Sequence, residues 1–133
     1  IQKKISLDVY NLENYVYIDE KWITFIMCQV LQNSIKYLNK PEKIIKIHSE
    51  NNKNNVVLVI EDNGEGILDH DLPRVFEYGF TGTDRQKQYS TGIGLYLCKK
   101  LCNKMNLDIK IESQYKKFTK VKIIFPKTNL YRQ

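Results

Sequence analysis

The stretch VVLVIEDNGEGI, residues Val56–Ile67, joins an uninterrupted apolar run to a polar segment that contains two glycines. Residues Val56–Ile60 are apolar on both faces of a strand, which is typical of the middle of a covered sheet. Asp62 follows at the end of that strand, and Gly64 and Gly66 permit close approach of a ligand to the backbone. A hairpin turn is the ordinary interpretation of Asp-Asn-Gly, but no alternating strand follows Gly66. The stretch therefore predicts a carboxylate at the mouth of the core, where it can accept a hydrogen bond from a ligand.

Alternating apolar patterns on either side of this strand predict the rest of a sheet. A turn-rich segment separates the central strand from the one before it, so these two strands are expected to form a hairpin. The other predicted strands are two opening strands, Ile5–Tyr10 and Tyr15–Asp19, the hairpin partner Lys43–Glu50, and two final strands, Leu107–Glu112 and Phe118–Phe125.

Helical spacing predicts two helices, one from Glu20 up to Pro41 and one over Gly92–Asn103, with Asp19 able to cap the first. The polar stretch from 79 to 91 has almost no core-forming residues and predicts a mobile loop. The order of elements predicts an α+β fold, a two-layer sandwich whose helices cover one face of the sheet. The core face predicted for the first helix consists of Ile23, Met27, Val30, Leu31, Ser34, Ile35 and Leu38.

Length and composition limit the class of protein. A chain of 133 residues with 42% hydrophobic and 27% charged residues fits a single domain over residues 1–133. There is no apolar run long enough to span a bilayer and no pattern of a secretory signal. The three cysteines, Cys28, Cys98 and Cys102, lack the spacing of a zinc site or a disulfide framework and are expected to be reduced, with Cys98 and Cys102 buried. The net charge of +6 suggests an anionic partner, although no basic-aromatic repeat favours nucleic acid.

A helical wheel places Gln29, Asn33, Lys36 and Tyr37 in one stripe of the first helix. An asparagine oxygen suits a hard cation, a lysine suits phosphate, and a tyrosine ring suits stacking on a base. The alternative is an ordinary solvated helix face. The stripe alone does not decide between the two.

The segment Ser90-Thr91-Gly92-Ile93-Gly94-Leu95 leads a glycine-bearing loop into the second helix. Backbone amides at a helix start bind phosphate, and glycines remove side chains that would block it. A close-packed helix start would have the same composition. The order of these three elements along the chain is more specific than any one of them.

In that order, the three elements resemble the catalytic and ATP-binding domain of bacterial sensor histidine kinases, in the GHKL superfamily that includes gyrase and MutL. The resemblance implies an α/β sandwich of the Bergerat type, with a mixed sheet and a mobile ATP lid. The matching segments are FIMCQVLQNSIKY (residues 25–37) as N box, EDNGEGI (61–67) as first glycine box, VFEYGF (75–80) as F box, residues 79–91 as lid, and STGIGL (90–95) as second glycine box.

The resemblance also implies roles for individual residues, with ATP and Mg²⁺ as cofactors. Asn33 is expected to ligate Mg²⁺ and Lys36 to contact phosphate, both as catalytic residues, while Tyr37 packs on adenine and Asp62 accepts from the adenine amine. Phe76 and Phe80 would anchor the lid, in which Arg85 and Lys87 are either γ-phosphate contacts or ordinary solvated charges. The complete set of implied ATP-binding residues is Gln29, Asn33, Lys36, Tyr37, Asp62, Gly64, Gly66, Ile67, Phe76, Phe80, Thr91, Gly92, Ile93, Gly94 and Leu95.

Two positions depart from the family pattern. Ser90 stands where the second glycine box often begins with glycine, which would stiffen the lid hinge. Gln29 stands where hydrolysing relatives have a glutamate that activates water, and an amide cannot serve as a general base. Weak hydrolysis suits a domain that holds ATP until an acceptor histidine arrives.

The resemblance thus predicts a domain that binds Mg-ATP and donates the γ-phosphate to a histidine on a separate dimerisation domain, for onward transfer to a response regulator. His48 and His70 lack the sequence context of that acceptor. The parent protein is expected to be a membrane-bound homodimer with this domain in the cytoplasm, similar to low-GC Gram-positive kinases that respond to bacitracin or antimicrobial peptides. The alternatives are an ATP-driven conformational clamp and a basic nucleic-acid-binding module.

Overall fold

A computed structural model describes residues 4–38, 40–81 and 92–127, and within these ranges the chain forms five strands and two α-helices. A short 3₁₀ turn at Leu72–Arg74 lies between the third strand and the second helix. The elements are β1 (Ser6–Tyr10), α1 (Glu20–Lys36), β2 (Ile44–Asn51), β3 (Asn55–Asp62), α2 (Gly94–Lys104), β4 (Asp108–Gln114) and β5 (Phe118–Pro126).

The strands form one mixed sheet in the order β1-β2-β3-β5-β4. Only the β1–β2 pair is parallel among these strands, and the remaining pairs are antiparallel. The apolar strand β3 lies in the middle, as its sequence predicts, and pairs with both β2 and β5. Its last residue, Asp62, stands opposite Ile45 on one side and Thr119 on the other. The sheet therefore brings Asp62 to the end of the central strand with a hydroxyl beside it.

Helices α1 and α2 cover one face of this sheet, which confirms the predicted two-layer sandwich. Ile26 and Val30 of α1 are buried against Ile60 and Ile123 of the sheet in one continuous core. Helix α2 contributes the buried Cys98 and Cys102, as predicted. Burial raises the pKa of the Cys98 thiol to about 12 and that of Cys102 to about 11. Both thiols therefore stay protonated at neutral pH and act as small apolar core residues.

Helix α1 begins and ends where polar groups satisfy its backbone. The carboxylate of Asp19 accepts a hydrogen bond from the Lys21 N–H at 2.9 Å, which confirms the predicted cap. The helix ends at Lys36, before Pro41, and Tyr37 is its C-cap. Tyr37 is thereby fixed at the end of the helix, next to the segment that leads into β2.

The predicted core face of α1 is correct for Val30, Ser34 and Leu38 but wrong at one position. Ile35 is 39% exposed, whereas Ile26, which was not predicted, is fully buried. The buried residues repeat every fourth position because α1 meets the sheet along a narrow stripe. Ile35 is rotated away from that stripe by one residue, about 100°.

The second predicted opening strand is also wrong. Residues 15–19 have no regular structure, although Val16 and Ile18 pack against the core while Tyr15 and Tyr17 are 89% and 78% exposed. The side chains of this segment do alternate between partly buried and exposed, but the segment crosses the surface of the core toward α1. No neighbouring strand within the described ranges supplies a hydrogen-bonding ladder, so alternate burial does not produce a strand.

The face of the sheet opposite the helices explains why β3 is apolar on both sides. Val57 and Val59 are buried on this face, and Val59 is flanked by His48 and Lys122 on the neighbouring strands. Lys122 also reaches Glu112 at 2.5 Å. Long charged side chains can bury their aliphatic stems while their charged ends stay in water. Side chains from adjacent strands, rather than another layer of helices, thus cover this face.

Candidate functional site

A cavity of about 430 Å³ opens between α1, the loop after β3, the start of α2 and the β4–β5 turn. Its volume lies within the range of small-molecule and cofactor sites. It brings together predicted site residues from all three sequence elements. Those that line it are Gln29, Asn33, Lys36, Tyr37, Asp62, Gly66, Ile67, Phe80, Gly92, Gly94 and Leu95.

One wall of the cavity is the polar stripe of α1. Gln29, Asn33, Lys36 and Tyr37 all line it, so the stripe is not an ordinary solvated face. The ammonium group of Lys36 lies 5.8 Å from the centre of the Tyr37 ring. A cation, an amide and an aromatic ring therefore face the same space, which suits a ligand with both anionic and flat apolar parts.

Asp62 lies at the base of the cavity and is only 5% exposed. One of its carboxylate oxygens, Oδ1, accepts a hydrogen bond from the Gly64 N–H at 2.9 Å, and Ser34 of α1 also hydrogen bonds to it. Burial raises the pKa of Asp62, and the two hydrogen bonds partly offset that rise. The carboxylate is thus held in a fixed orientation at the edge of the apolar core, where it can accept from a ligand amine.

The loop after β3 is held in place by backbone contacts that require a glycine. A Cβ atom on Gly64 would lie 2.7 Å from the Tyr37 carbonyl oxygen and 2.8 Å from Asp62 Oδ1. The side chain of Asn63 fixes the other side of the loop, since its amide accepts from Ile44 N–H at 2.9 Å and donates to the Glu42 carbonyl at 2.7 Å. Asn63 therefore has a structural role in this segment.

The opposite end of the cavity reaches the start of α2 at Gly94 and Leu95. The N-cap residue Ile93 offers no side-chain hydrogen bond to the first N–H groups of this helix. Uncapped N–H groups at a helix start attract anions. A Cβ atom on Gly94 would meet the amide oxygen of Gln29, so the end of this side chain lies directly beside the start of α2.

Gly92 closes a backbone contact at the base of the loop before α2. Its carbonyl accepts from the Gly79 N–H at 3.1 Å, and its φ of +69° lies in the left-handed region. A Cβ atom on Gly92 would lie 2.5 Å from the Gly79 carbonyl carbon and 2.6 Å from the Phe80 oxygen. Gly79 also has a positive φ, of +78°, but a Cβ atom there would meet nothing within 4 Å.

This pair of glycines provides a prediction with an internal control. Gly92→Ala is expected to lower the free energy of unfolding by about 2 kcal/mol, because backbone strain adds to an overlap with backbone atoms. Gly79→Ala is expected to cost about half as much, since it has the strain alone. Thermal unfolding of both variants measures the difference. Equal losses would mean that the overlap at position 92 is relieved without cost.

Comparison with known proteins gives the family. Residues 18–129 match the family model described as "Histidine kinase-, DNA gyrase B-, and HSP90-like ATPase". The chain belongs to this ATPase family. The sensor protein kinase GraS of Staphylococcus aureus (strain JH1) is 40% identical over 129 residues, which are 96% of this chain and 37% of that protein. The chain thus spans little more than a third of the curated relatives that it matches.

Solved structures confirm the fold of this ATPase family. A mycobacterial sensor histidine kinase, MprB, superposes with a TM-score of 0.80 at 22% identity, over 92% of this chain and 83% of that chain. The Acinetobacter baumannii histidine kinase AdeS superposes with a TM-score of 0.73 at 23% identity, over 97% of this chain and 56% of that chain. The predicted sandwich with a mixed sheet is therefore correct.

Some of the residues that the ATPase resemblance implicates do not line the cavity. Gly64 donates its N–H to Asp62, Ile93 precedes α2, and Phe76 packs against the core with the Lys99 ammonium 5.6 Å from its ring. Phe80 does line the cavity, beside the Arg74 guanidinium at 4.4 Å. Most of the segment 79–91, which was assigned as the lid, lies outside the described residues. This part includes Arg85, Lys87, Ser90 and Thr91.

The cavity of this ATPase domain also has lining residues that were not predicted as site residues. Ser34 was assigned to the core face, and it is both buried and in contact with Asp62. Thr119 becomes a site residue only through its register opposite Asp62. The additional lining residues are Val30, Gln32, Ser34, Glu65, Leu68, Asp71, Val75, Thr81, Ile111, Tyr115, Thr119 and Val121.

Proposed function

We propose that this domain binds Mg-ATP and presents its γ-phosphate to a histidine on a separate dimerisation and phosphoacceptor domain of the same kinase. That histidine would then pass the phosphoryl group to a response regulator. The observation that carries the proposal is one cavity that joins the buried carboxylate of Asp62 to the start of α2, where the N-cap residue Ile93 makes no side-chain hydrogen bond. An amine-bearing base fits the first end of the cavity, and a polyphosphate fits the second.

These contacts support a proposed position for each part of ATP. The adenine amine would donate to Asp62, and the ring would lie against Tyr37. The phosphates would meet the first N–H groups of α2, with Lys36 supplying positive charge along α1. In phosphoryl transfer the protein contributes mainly positioning and charge neutralisation. These residues supply both without a covalent step of their own.

The residues also fit a magnesium ion bound together with the nucleotide. Mg²⁺ keeps several waters and usually takes only one or two protein oxygens in addition to substrate phosphates. Asn33 offers one such oxygen on the wall between Gln29 and Lys36. Among residues 4–38, 40–81 and 92–127 there is no cluster of three or more histidine, cysteine or acidic side chains that could hold a metal by itself. Mg²⁺ would neutralise phosphate charge when it is bound.

Gln29 favours phosphotransfer over an ATP-driven clamp. It lines the cavity one helical turn before Asn33, and its amide oxygen lies beside Gly94 at the start of α2. An amide at this point can position a water molecule but cannot remove its proton. Slow hydrolysis would leave the γ-phosphate available for an acceptor. Neither His48 nor His70 lines the cavity, so the acceptor is expected on another domain.

Several lysines have acidic partners within the domain, which argues against a continuous basic surface for nucleic acid. Lys122 pairs with Glu112 at 2.5 Å, Lys99 with Asp108 at 3.1 Å and Lys120 with Glu61 at 3.8 Å. Nucleic-acid binding depends on lysines and arginines that are available to phosphates along one surface. The lysines of the open sheet face instead alternate with acidic residues.

We further propose that the parent protein is a membrane-bound homodimer with this domain in the cytoplasm. The sequence identity to a staphylococcal sensor kinase supports that assignment. It also supports the proposed relationship to Gram-positive kinases that respond to bacitracin or antimicrobial peptides. None of the helices in the described part of the chain is long and apolar enough to cross a membrane.

The proposal is tested first by titration calorimetry with a non-hydrolysable ATP analogue, with and without Mg²⁺, and with GTP as control. Adenine-selective, magnesium-dependent binding is expected. The domain is then mixed with ATP and the separately expressed phosphoacceptor domain of the same kinase, and acid-labile phosphohistidine is measured. Rapid ATP hydrolysis without phosphohistidine would favour the clamp. Salt-dependent DNA or RNA binding that ATP does not compete with would favour the nucleic-acid module.

A further inference from the structure

Among the described residues, Tyr115 differs from the other exposed large apolar side chains. It lies in the β4–β5 turn and is 37% exposed. Others in this class, such as Tyr15 and Tyr17, lie on the surface outside the cavity, whereas Tyr115 lines it. Because Tyr115 lines the cavity and keeps part of its surface exposed, a ligand bound there can cover it further.

The backbone joins Tyr115 to the residues that are expected to hold the base. Glu65, in the loop after β3, donates its N–H to the Tyr37 carbonyl oxygen at 3.1 Å. The carbonyl of the same residue accepts a hydrogen bond from the Lys116 N–H. One residue of the loop therefore connects the segments that carry the two tyrosines, and both tyrosines line the same cavity.

The position of the turn does not depend on the Tyr115 side chain. Ser113 Oγ accepts from the Ile67 N–H at 2.8 Å and donates to the Phe118 carbonyl at 2.7 Å. The Lys40 ammonium donates to the Lys116 carbonyl at 2.6 Å, which ties the segment after α1 to the tip of the turn. Removing the Tyr115 ring would leave all these contacts in place.

Gly66 allows this close approach. It has a φ of +74°, and a Cβ atom on it would collide with the Gln114 carbonyl and lie 2.9 Å from the Tyr115 Cα atom. The first glycine box thus admits the β4–β5 turn to the wall of the cavity, in addition to shaping the loop around Asp62. The sequence motif alone does not reveal this contact, because the two segments are about fifty positions apart.

We propose that Tyr115 is a second aromatic contact for the purine base of the bound nucleotide, together with Tyr37. The inference rests on the proposed binding of ATP and adds a residue to it. Each ring has a lysine ammonium nearby, Lys116 at 5.7 Å from Tyr115 and Lys36 at 5.8 Å from Tyr37. Stacking is indifferent to the identity of the base, since every base has a π-face. Tyr115 therefore adds affinity, while Asp62 supplies selectivity for adenine.

Three variants test the proposal by calorimetry with the non-hydrolysable ATP analogue in the presence of Mg²⁺. Tyr115→Ala is expected to weaken binding about tenfold, the order of one lost base–aromatic stack. Tyr115→Phe keeps the ring and is expected to stay within about twofold of the wild type. Tyr17→Ala removes a tyrosine that is 78% exposed outside the cavity and is expected to change nothing. GTP measured in parallel should lose affinity by the same factor as ATP on Tyr115→Ala.

The possible outcomes separate this inference from the function on which it rests. If the wild type does not bind the analogue, the proposed function is wrong, and the role of Tyr115 is wrong with it. If the wild type binds and Tyr115→Ala binds equally well, only the role of Tyr115 is overturned. If Tyr115→Phe is as weak as Tyr115→Ala, the hydroxyl rather than the aromatic face is responsible, and the stacking role is rejected. Thermal unfolding of each variant confirms that the fold is retained.

Discussion

Asp62→Asn is expected to weaken ATP binding about a hundredfold, toward the upper end of what a hydrogen bond to a charged group contributes. The asparagine oxygen can still accept from Gly64, so the loop keeps its conformation. The asparagine NH₂ group, however, would face the donor amine of adenine if the ring approached as proposed. Calorimetry with the ATP analogue measures the loss, and the preference for ATP over GTP should fall at the same time.

The same substitution should not destabilise the domain at neutral pH. Asp62 has a pKa raised by burial, so ionisation of this carboxyl opposes folding. The free-energy cost of this ionisation is absent below the ordinary pKa of 3.8, grows as the pH rises above that value and is complete above the raised pKa of the folded state. The free energy of unfolding of Asp62→Asn should therefore equal or exceed that of the wild type near pH 7. This difference should shrink as the pH falls through the raised pKa.

Glu61→Gln is the matched control for this prediction. Glu61 is the neighbour of Asp62 in β3, but its side chain is on the opposite face of the sheet, 3.8 Å from Lys120. The Glu61→Gln substitution should leave ATP affinity unchanged. If both substitutions weaken ATP binding equally, the effect is not specific to the carboxylate in the cavity, and Asp62 does not read the base. If the wild type binds GTP and ATP equally, the same conclusion follows.

The sequence predicts the central part of this fold well because hydrophobic periodicity reports burial directly. The run Val56–Ile60 predicts a central strand, and the structure places β3 between β2 and β5. The segment Tyr15–Asp19 shows the limit of the same argument. Alternation records which side chains are buried, whereas a strand also needs a hydrogen-bonding neighbour, which depends on the path of distant segments.

The site shows a similar division between local and distant information. A helical wheel is sufficient to group one part of the site, because its residues lie within about two turns of α1 and its C-cap. These residues are Gln29, Asn33, Lys36 and Tyr37. Tyr115 and Thr119 reach the cavity through the register of β5 and the approach of a turn to Gly66. These contacts join residues that are far apart in the chain, and no local pattern carries them. Ile35 shows a limit of the helical wheel. The wheel identifies the apolar side of α1 but not the width of the stripe that packs against the sheet.

Asn33→Ala is expected to remove the magnesium dependence of nucleotide binding and to reduce phosphotransfer about a thousandfold. A metal ion that neutralises a transferring phosphoryl group contributes several kcal/mol to transition-state stabilisation. Asn33 lines the α1 wall of the cavity, one helical turn after Gln29 and three residues before Lys36. The loss of this magnesium ligand should give equal affinities for the ATP analogue with and without Mg²⁺. Phosphohistidine formation on the acceptor domain measures the second effect.

Asn103→Ala is the matched control, since Asn103 is an exposed asparagine of α2 outside the cavity. Both substitutions replace a helical asparagine by alanine, which favours the helix slightly, so neither should unfold the domain. Retained magnesium dependence in Asn33→Ala would reject the metal-ligand role. Lost phosphotransfer with retained magnesium-dependent binding would instead make Asn33 a residue that orients the phosphates. Because Lys36 remains in both variants, residual binding without Mg²⁺ should persist, and its size would show how much of the affinity comes from the base and the lysine alone.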